Sequence, residues 1–171
     1  VILCVIFYFL SMIPIFDEYL AKYRIYASTI FVFMGWGWVC NVSWKFFISR
    51  PRPGKVTSGE LPFSHAFEWG KVPFDDAISA SFPSGHTFAT AVLYIIPFMC
   101  LSIKNKKLRT YLSSCLFAIV TLLCIYMGAG RVHAHAHYPS DTLWATYFGL
   151  VYAYFFYYYI FRVSEQIEAG P

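Results

Sequence analysis

Residues 111–130 read YLSSCLFAIVTLLCIYMGAG, an unbroken run with no charged side chain. A helix needs roughly 20 such residues to cross the hydrocarbon core of a bilayer, because each advances the chain by only about 1.5 Å. Comparable apolar runs occupy residues 27–47, 84–103 and 142–161, and a shorter one occupies residues 1–16. Composition agrees: of 171 residues, 58% are hydrophobic, 22% aromatic and 13% charged. A soluble domain carries about 25% charged residues. The chain therefore lacks the polar surface of a water-soluble globule, and it is too apolar and aromatic to be disordered. These runs predict an all-α fold, a multi-span transmembrane helix bundle forming a single domain over residues 1–171.

The first run ends at Asp17-Glu18 and has neither the basic start nor the small-residue cleavage site of a signal peptide. It is expected to be a spanning helix whose beginning precedes this sequence. Pro97 is expected to kink the run at 84–103, since it removes an N–H and crowds the preceding turn. Cys4, Cys40, Cys100, Cys115 and Cys124 all lie inside apolar runs without CxxC spacing. That is the pattern of small buried hydrophobes, not of a disulfide framework or a cysteine metal site.

The connections alternate between two sides. Residues 17–26, the loop Lys104-Asn105-Lys106-Lys107-Leu108-Arg109 and the tail after Arg162 fall on one side; residues 48–83 and 131–141 fall on the other. The dense basic loop at 104–109 is the signal that orients helices, so its side is expected to be cytoplasmic. A formal net charge of +4 is too small to argue for nucleic acid as a partner.

Three constellations collect on the opposite, extracytoplasmic side. In the first, Lys45 is followed by Arg50-Pro51-Arg52-Pro53. The prolines end a helix and stiffen the next segment, so an arginine can reach back beside Lys45, while a plain basic interfacial anchor explains the same residues. The pattern alone leaves the choice between Arg50 and Arg52 open. In the second, Ser81-Phe82-Pro83-Ser84-Gly85-His86 opens an apolar helix. Free backbone N–H groups there suit an anion, with Gly85 allowing close approach; Ser84 as a capping residue is the competing reading. In the third, Arg131 leads to His133, His135, His137 and Asp141, with Pro139 suited to a first helical turn. A carboxylate four residues after His137 can hold one ring nitrogen and leave the other as a nucleophile or base. The alternating histidines also have the look of a metal triplet.

Lys45-x6-Arg52-Pro53, Pro83-Ser84-Gly85-His86 and Arg131-x5-His137-x3-Asp141 together resemble the tripartite signature of the type 2 phosphatidic acid phosphatase (PAP2) superfamily. At roughly 5% per position, such a coincidence of residue types at one placement has a chance on the order of 10^-13. The resemblance covers residues 45–141 and departs at Gly130, where the family usually has serine; this removes a hydroxyl contact but no catalytic group. The family spacing selects Arg52 over Arg50. It also implies six membrane helices, so the five runs here correspond to a bundle lacking its first helix.

The resemblance further implies a mechanism. His137, oriented by Asp141, attacks phosphorus and forms a phosphohistidine; His86 protonates the leaving oxygen and then activates water. Lys45, Arg52, Arg131, Ser84 and the Gly85 N–H bind the phosphate oxygens, and these fixed cations make a metal or other cofactor unnecessary. His133 and His135 become loop residues near the pocket, and Tyr138 and Trp144 become interfacial aromatics. A metal-dependent hydrolase built on His133, His135 and His137, or a non-enzymatic anion or lipid transporter, is the alternative. A soluble vanadate haloperoxidase is excluded by the composition.

A pocket at the bilayer surface favours a membrane lipid phosphate monoester or diphosphate, such as phosphatidate, phosphatidylglycerophosphate, polyprenyl diphosphate or a lipid A phosphate. The motif forms look most like bacterial members, which places the expected site on the outer, periplasmic face of the inner membrane. Residues 54–82 mix Phe63, Phe67, Trp69 and Phe74 with acidic side chains. They read equally as a lid that sorts head groups and as a structural cover.

Overall fold

A computed structural model describes residues 14–70, 72–163 and 165, and among them it is helical with no strand. Helix α1 spans Pro14–Ile48, α2 Pro53–Thr57, α3 Gly85–Ala91, α4 Ile95–Cys100, α5 Lys106–His133 and α6 Pro139–Phe155. The apolar run expected at 1–16 lies, up to residue 13, outside the described residues.

Two boundaries differ from the sequence reading. Residues 17–26, expected as a connection, continue α1 without a break. They contain no Gly or Pro, and Glu18, Leu20, Ala21, Lys22 and Arg24 are good helix formers, so the charged residues change polarity without ending the helix. The run at 84–103 is interrupted at Val92–Tyr94, which tightens into a 3-10 turn before α4. The cause is the one anticipated, displaced by a turn. Pro97 offers no N–H to the carbonyl of residue 93 and its ring crowds that oxygen, so the strain falls ahead of the proline.

By length and composition, one helix among the described residues is long and apolar enough to cross a membrane, α5, and the apolar stretch Gly85–Cys100 is shorter. This is fewer than the runs expected to span. Tyr, Trp, Gly and Asn lower the hydropathy of α1, the proline break divides α3 from α4, and α6 is 17 residues before Phe156–Ile160 widens into a π turn.

The described residues divide into two compact units, one within 14–37, 92–118 and 150–165, the other within 38–91 and 119–149. In the first, Phe98 is ringed by Phe117, Tyr154, Tyr157 and Tyr158. The Tyr157 hydroxyl meets Ser102 Oγ at 2.7 Å. In the second, Trp44 stacks on Phe148 at 5.5 Å, and Phe67 sets its edge against both Phe82 and Trp144. Gly149 is required there, because a Cβ would lie 2.4 Å from Ala91 Cβ and 3.0 Å from its backbone. Every residue of the three constellations belongs to this second unit.

Candidate active site

The end of α1 is made by Ser49, which takes a left-handed φ of 47° while its hydroxyl bonds the Phe46 carbonyl at 2.9 Å. Pro51 and Pro53 then hold the chain extended: Arg52 sits at φ −71°, ψ 144°, as a residue before proline must, and Pro53 opens α2. Arg50 and Arg52 flank Pro51 but find different partners, and so do different work.

Arg50 turns inward and is 3% exposed. Its Nε donates to the Ser64 carbonyl at 3.0 Å, and Nη1 donates to Asp141 Oδ1 at 2.5 Å and to Ser140 Oγ at 2.9 Å. The guanidinium also lies 3.9 Å over the Tyr138 ring. Asp141 is fully buried; its Oδ2 accepts from Ser81 Oγ at 2.5 Å and from the Tyr138 N–H at 2.9 Å. The last contact is the return arm of a capping box, with Pro139 at the first position of α6. Burial pushes the Asp141 carboxyl up from its usual value, and Arg50, Ser81 and the Tyr138 amide draw it back.

His137 stands just before α6 and is buried. The nearest partner of its Nδ1 is the Ser81 carbonyl at 2.6 Å, whereas Asp141 Oδ2 lies 3.9 Å away. The expected direct grip of Asp141 on the ring is thus replaced by a relay. Asp141 holds the Ser81 hydroxyl, and Ser81 holds the imidazole, because the carboxylate is already shared by Arg50 and the helix cap. A carbonyl only accepts, so Nδ1 carries the proton and Nε2 keeps the lone pair. Burial, with opposition from Arg52, Arg131 and Lys45, lowers the His137 pKa from 6.5 to about 3, while the Ser81 bond works the other way.

Those cations form the open part of the site. Lys45, Arg52 and Arg131 all act electrostatically on both His137 and His86. Arg52 is set by Nη2 donating to the Asp76 carbonyl at 2.8 Å, and its own N–H donates to the Ile78 carbonyl at 2.8 Å. The Asp76 carboxylate reaches to 3.8 Å from Lys45 Nζ. Arg52 Nε and Arg131 Nε are buried and find no hydrogen-bond partner among the described residues. Gly85 lies under Lys45, since a Cβ there would be 3.6 Å from Nζ. His86, next in line, is exposed.

Not every expected residue is arranged as foreseen. The Ser84 hydroxyl is buried and taken up by Thr87, bonding its Oγ1 at 3.0 Å and its N–H at 3.5 Å, which is the capping use. His133 and His135 are exposed, with His135 in a left-handed turn of φ 52° whose carbonyl accepts the Gly54 N–H. Among the described residues no three His, Cys, Asp or Glu side chains are grouped to hold a metal. The segment 54–82 is tied down by Ser64 on Arg50, Phe63 on Tyr138 and Ile78 on Arg52. Sequence reading missed the buried roles of Arg50 and Ser81. The only signal for them was an arginine left over beside a motif and a serine two residues before a proline.

The His137 shift has a consequence for stability. The unfolded chain binds this proton near 6.5 and the folded chain only near 3, so folding is opposed as pH falls through that interval. Detergent-solubilised protein should melt progressively lower from pH 6.5 towards 3. His137→Asn, which keeps a donor for Ser81 and cannot titrate, should flatten that slope. Parallel slopes for the two proteins would contradict a buried neutral imidazole.

A helical protein that holds a neutral histidine in the field of three cations, with an exposed second histidine beside them, is equipped to bind and process an oxyanion. The PAP2 superfamily model matches residues 23–165, and the chain belongs to the PAP2 superfamily. Members are generally phosphatases, which supports a hydrolase of phosphate esters. No curated protein and no solved structure gives a significant match.

Proposed function

We propose that this protein hydrolyses a membrane lipid phosphate, a monoester or a diphosphate, at the extracytoplasmic face through a phosphohistidine, with no metal in the reaction. The observation that carries the reading is the His137 ring. Its Nδ1 proton is fixed on the Ser81 carbonyl, its imidazole is neutral at physiological pH, and three cations surround it. Nε2 attacks phosphorus in line as the bond to the leaving oxygen breaks, and His86 supplies the proton that oxygen takes. The same His86 then removes a proton from the water that cleaves the P–N bond and returns inorganic phosphate. Lys45, Arg52, Arg131 and the Gly85 N–H stabilise the charge on the non-bridging oxygens throughout. Ser84 serves this site by fixing the start of α3.

A multi-span transmembrane bundle accounts for the exposed apolar faces. Leu122, Ile125 and Tyr126 on α5 are each more than half exposed, as a lipid-facing helix requires. Phe46, Phe47, Trp69 and Phe74 are exposed beside the Lys45 end of α1 and suit an interfacial aromatic belt. The anchoring of 54–82 favours a fixed cover over a moving lid. The dense basic loop at 104–109 favours a cytoplasmic position for that loop, and a bacterial inner membrane is the setting proposed.

Purified protein in detergent should release phosphate from a panel of phosphatidate, phosphatidylglycerophosphate, polyprenyl diphosphate and lipid A phosphates, equally with and without EDTA. Activity lost in EDTA and restored by zinc would replace this reading with the metal one. Orientation has its own test: in intact cells, a single cysteine at Thr57 should react with an impermeant thiol reagent and one at Asn105 should not. The opposite labelling would reverse the leaflet from which substrate is taken.

A further inference from the structure

We infer that Asn41 is a further phosphate-binding residue, donating its side-chain N–H to a non-bridging oxygen seated over Gly85; this rests on the phosphatase reading above. Asn41 lies one helical turn before Lys45 on α1, so the two side chains share a face. It is the amide in an otherwise apolar stretch, it is only 6% exposed, and its Nδ2 finds no hydrogen-bond partner among the described residues. Buried donors are rarely left unpaired. In the same unit, Arg52 Nε and Arg131 Nε share that condition, and both already belong to the cation set.

Position ties Asn41 to the same ligand. A Cβ on Gly85 would sit 3.6 Å from Asn41 Oδ1 and 3.6 Å from Lys45 Nζ, so the amide and the ammonium border one patch of backbone just before His86; a half-turn of the amide about Cβ–Cγ, which breaks no bond of Nδ2, presents that donor to the patch in place of Oδ1. A group of buried donors lacking acceptors calls for a ligand rich in acceptors and poor in donors, which describes a phosphoryl group. Because the amide is neutral, it adds no repulsion to Lys45, Arg52 and Arg131. Its contribution is directional: it fixes the rotation of the phosphoryl group and hence the line along which His137 attacks.

The test is orthovanadate binding to the purified full chain in detergent, read by calorimetry beside turnover and melting temperature. Asn41→Leu keeps the volume and suits an apolar helix, and it should weaken vanadate about 10- to 100-fold with melting unchanged. Asn41→Asp should weaken it further at pH 8, relative to wild type at the same pH, and recover as the introduced carboxyl protonates at lower pH. Wild-type vanadate affinity in Asn41→Leu would overturn the inference while leaving the phosphatase intact. If Asn41→Leu fails to fold, the aspartate variant decides, and an affinity ratio to wild type that does not move with pH overturns it. A wild-type protein that neither binds vanadate nor releases phosphate would bring down the phosphatase reading, and this inference with it.

Discussion

His137→Ala should lower turnover by at least about 10^4-fold and leave no covalent phosphoenzyme, because under the proposed mechanism it removes the atom that bonds to phosphorus. His86→Ala should also stop turnover, by about 10^2- to 10^4-fold, the usual worth of a general acid and base. The two losses differ in kind. With His86 gone, His137, Ser81 and Asp141 are untouched, so a substrate with a good leaving group can still phosphorylate the enzyme, and the intermediate should accumulate. Stopped-flow release of a phenolic leaving group would show a burst in His86→Ala and none in His137→Ala. A burst in His137→Ala instead would exchange the two roles.

Arg50→Leu should destabilise the fold by about 3–5 kcal/mol, the cost of stranding one partner of a buried ion pair. Asp141 would keep Ser81 and the Tyr138 amide but lose its counter-charge in a fully buried position. Arg50→Lys should rescue little, since one ammonium cannot reproduce bonds to Ser64, Ser140 and Asp141 from a planar fork. Pairing Arg50→Leu with Asp141→Leu should regain much of the stability, because no charge is then left uncompensated, while activity stays lost through the slack Ser81. Thermal unfolding in detergent distinguishes these cases. An Arg50→Leu protein that melts with the wild type would mean the pair contributes nothing to the fold.

The grouping of the residues proposed for the site was legible because fixed spacings in the sequence set them where helices meet loops. Pro139 announced the start of α6, and the resemblance to the family motif, not the local pattern, separated Arg52 from Arg50. The identity of the partners was not legible. Which acceptor holds His137 depends on Ser81 arriving from 56 positions away, and no local pattern encodes that approach. Arg50 was hidden for the same reason, since Ser64 and Asp141 reach it from separate segments. Helix boundaries failed where charge was read as a break: residues 17–26 continue α1 because polarity and helix propensity are separate properties. Asn41 could have been noticed as an amide one turn from Lys45, but only burial shows that its donor matters.

The central claim is that phosphate passes through His137. Wild-type protein mixed with radiolabelled lipid phosphate, quenched within the first turnover and digested under alkaline conditions, should yield an acid-labile, base-stable phosphohistidine on the peptide containing His137. Label on His86, or no covalent phosphate at any quench time while product forms, would contradict the account; the latter outcome would make His137 a base that activates water for direct attack.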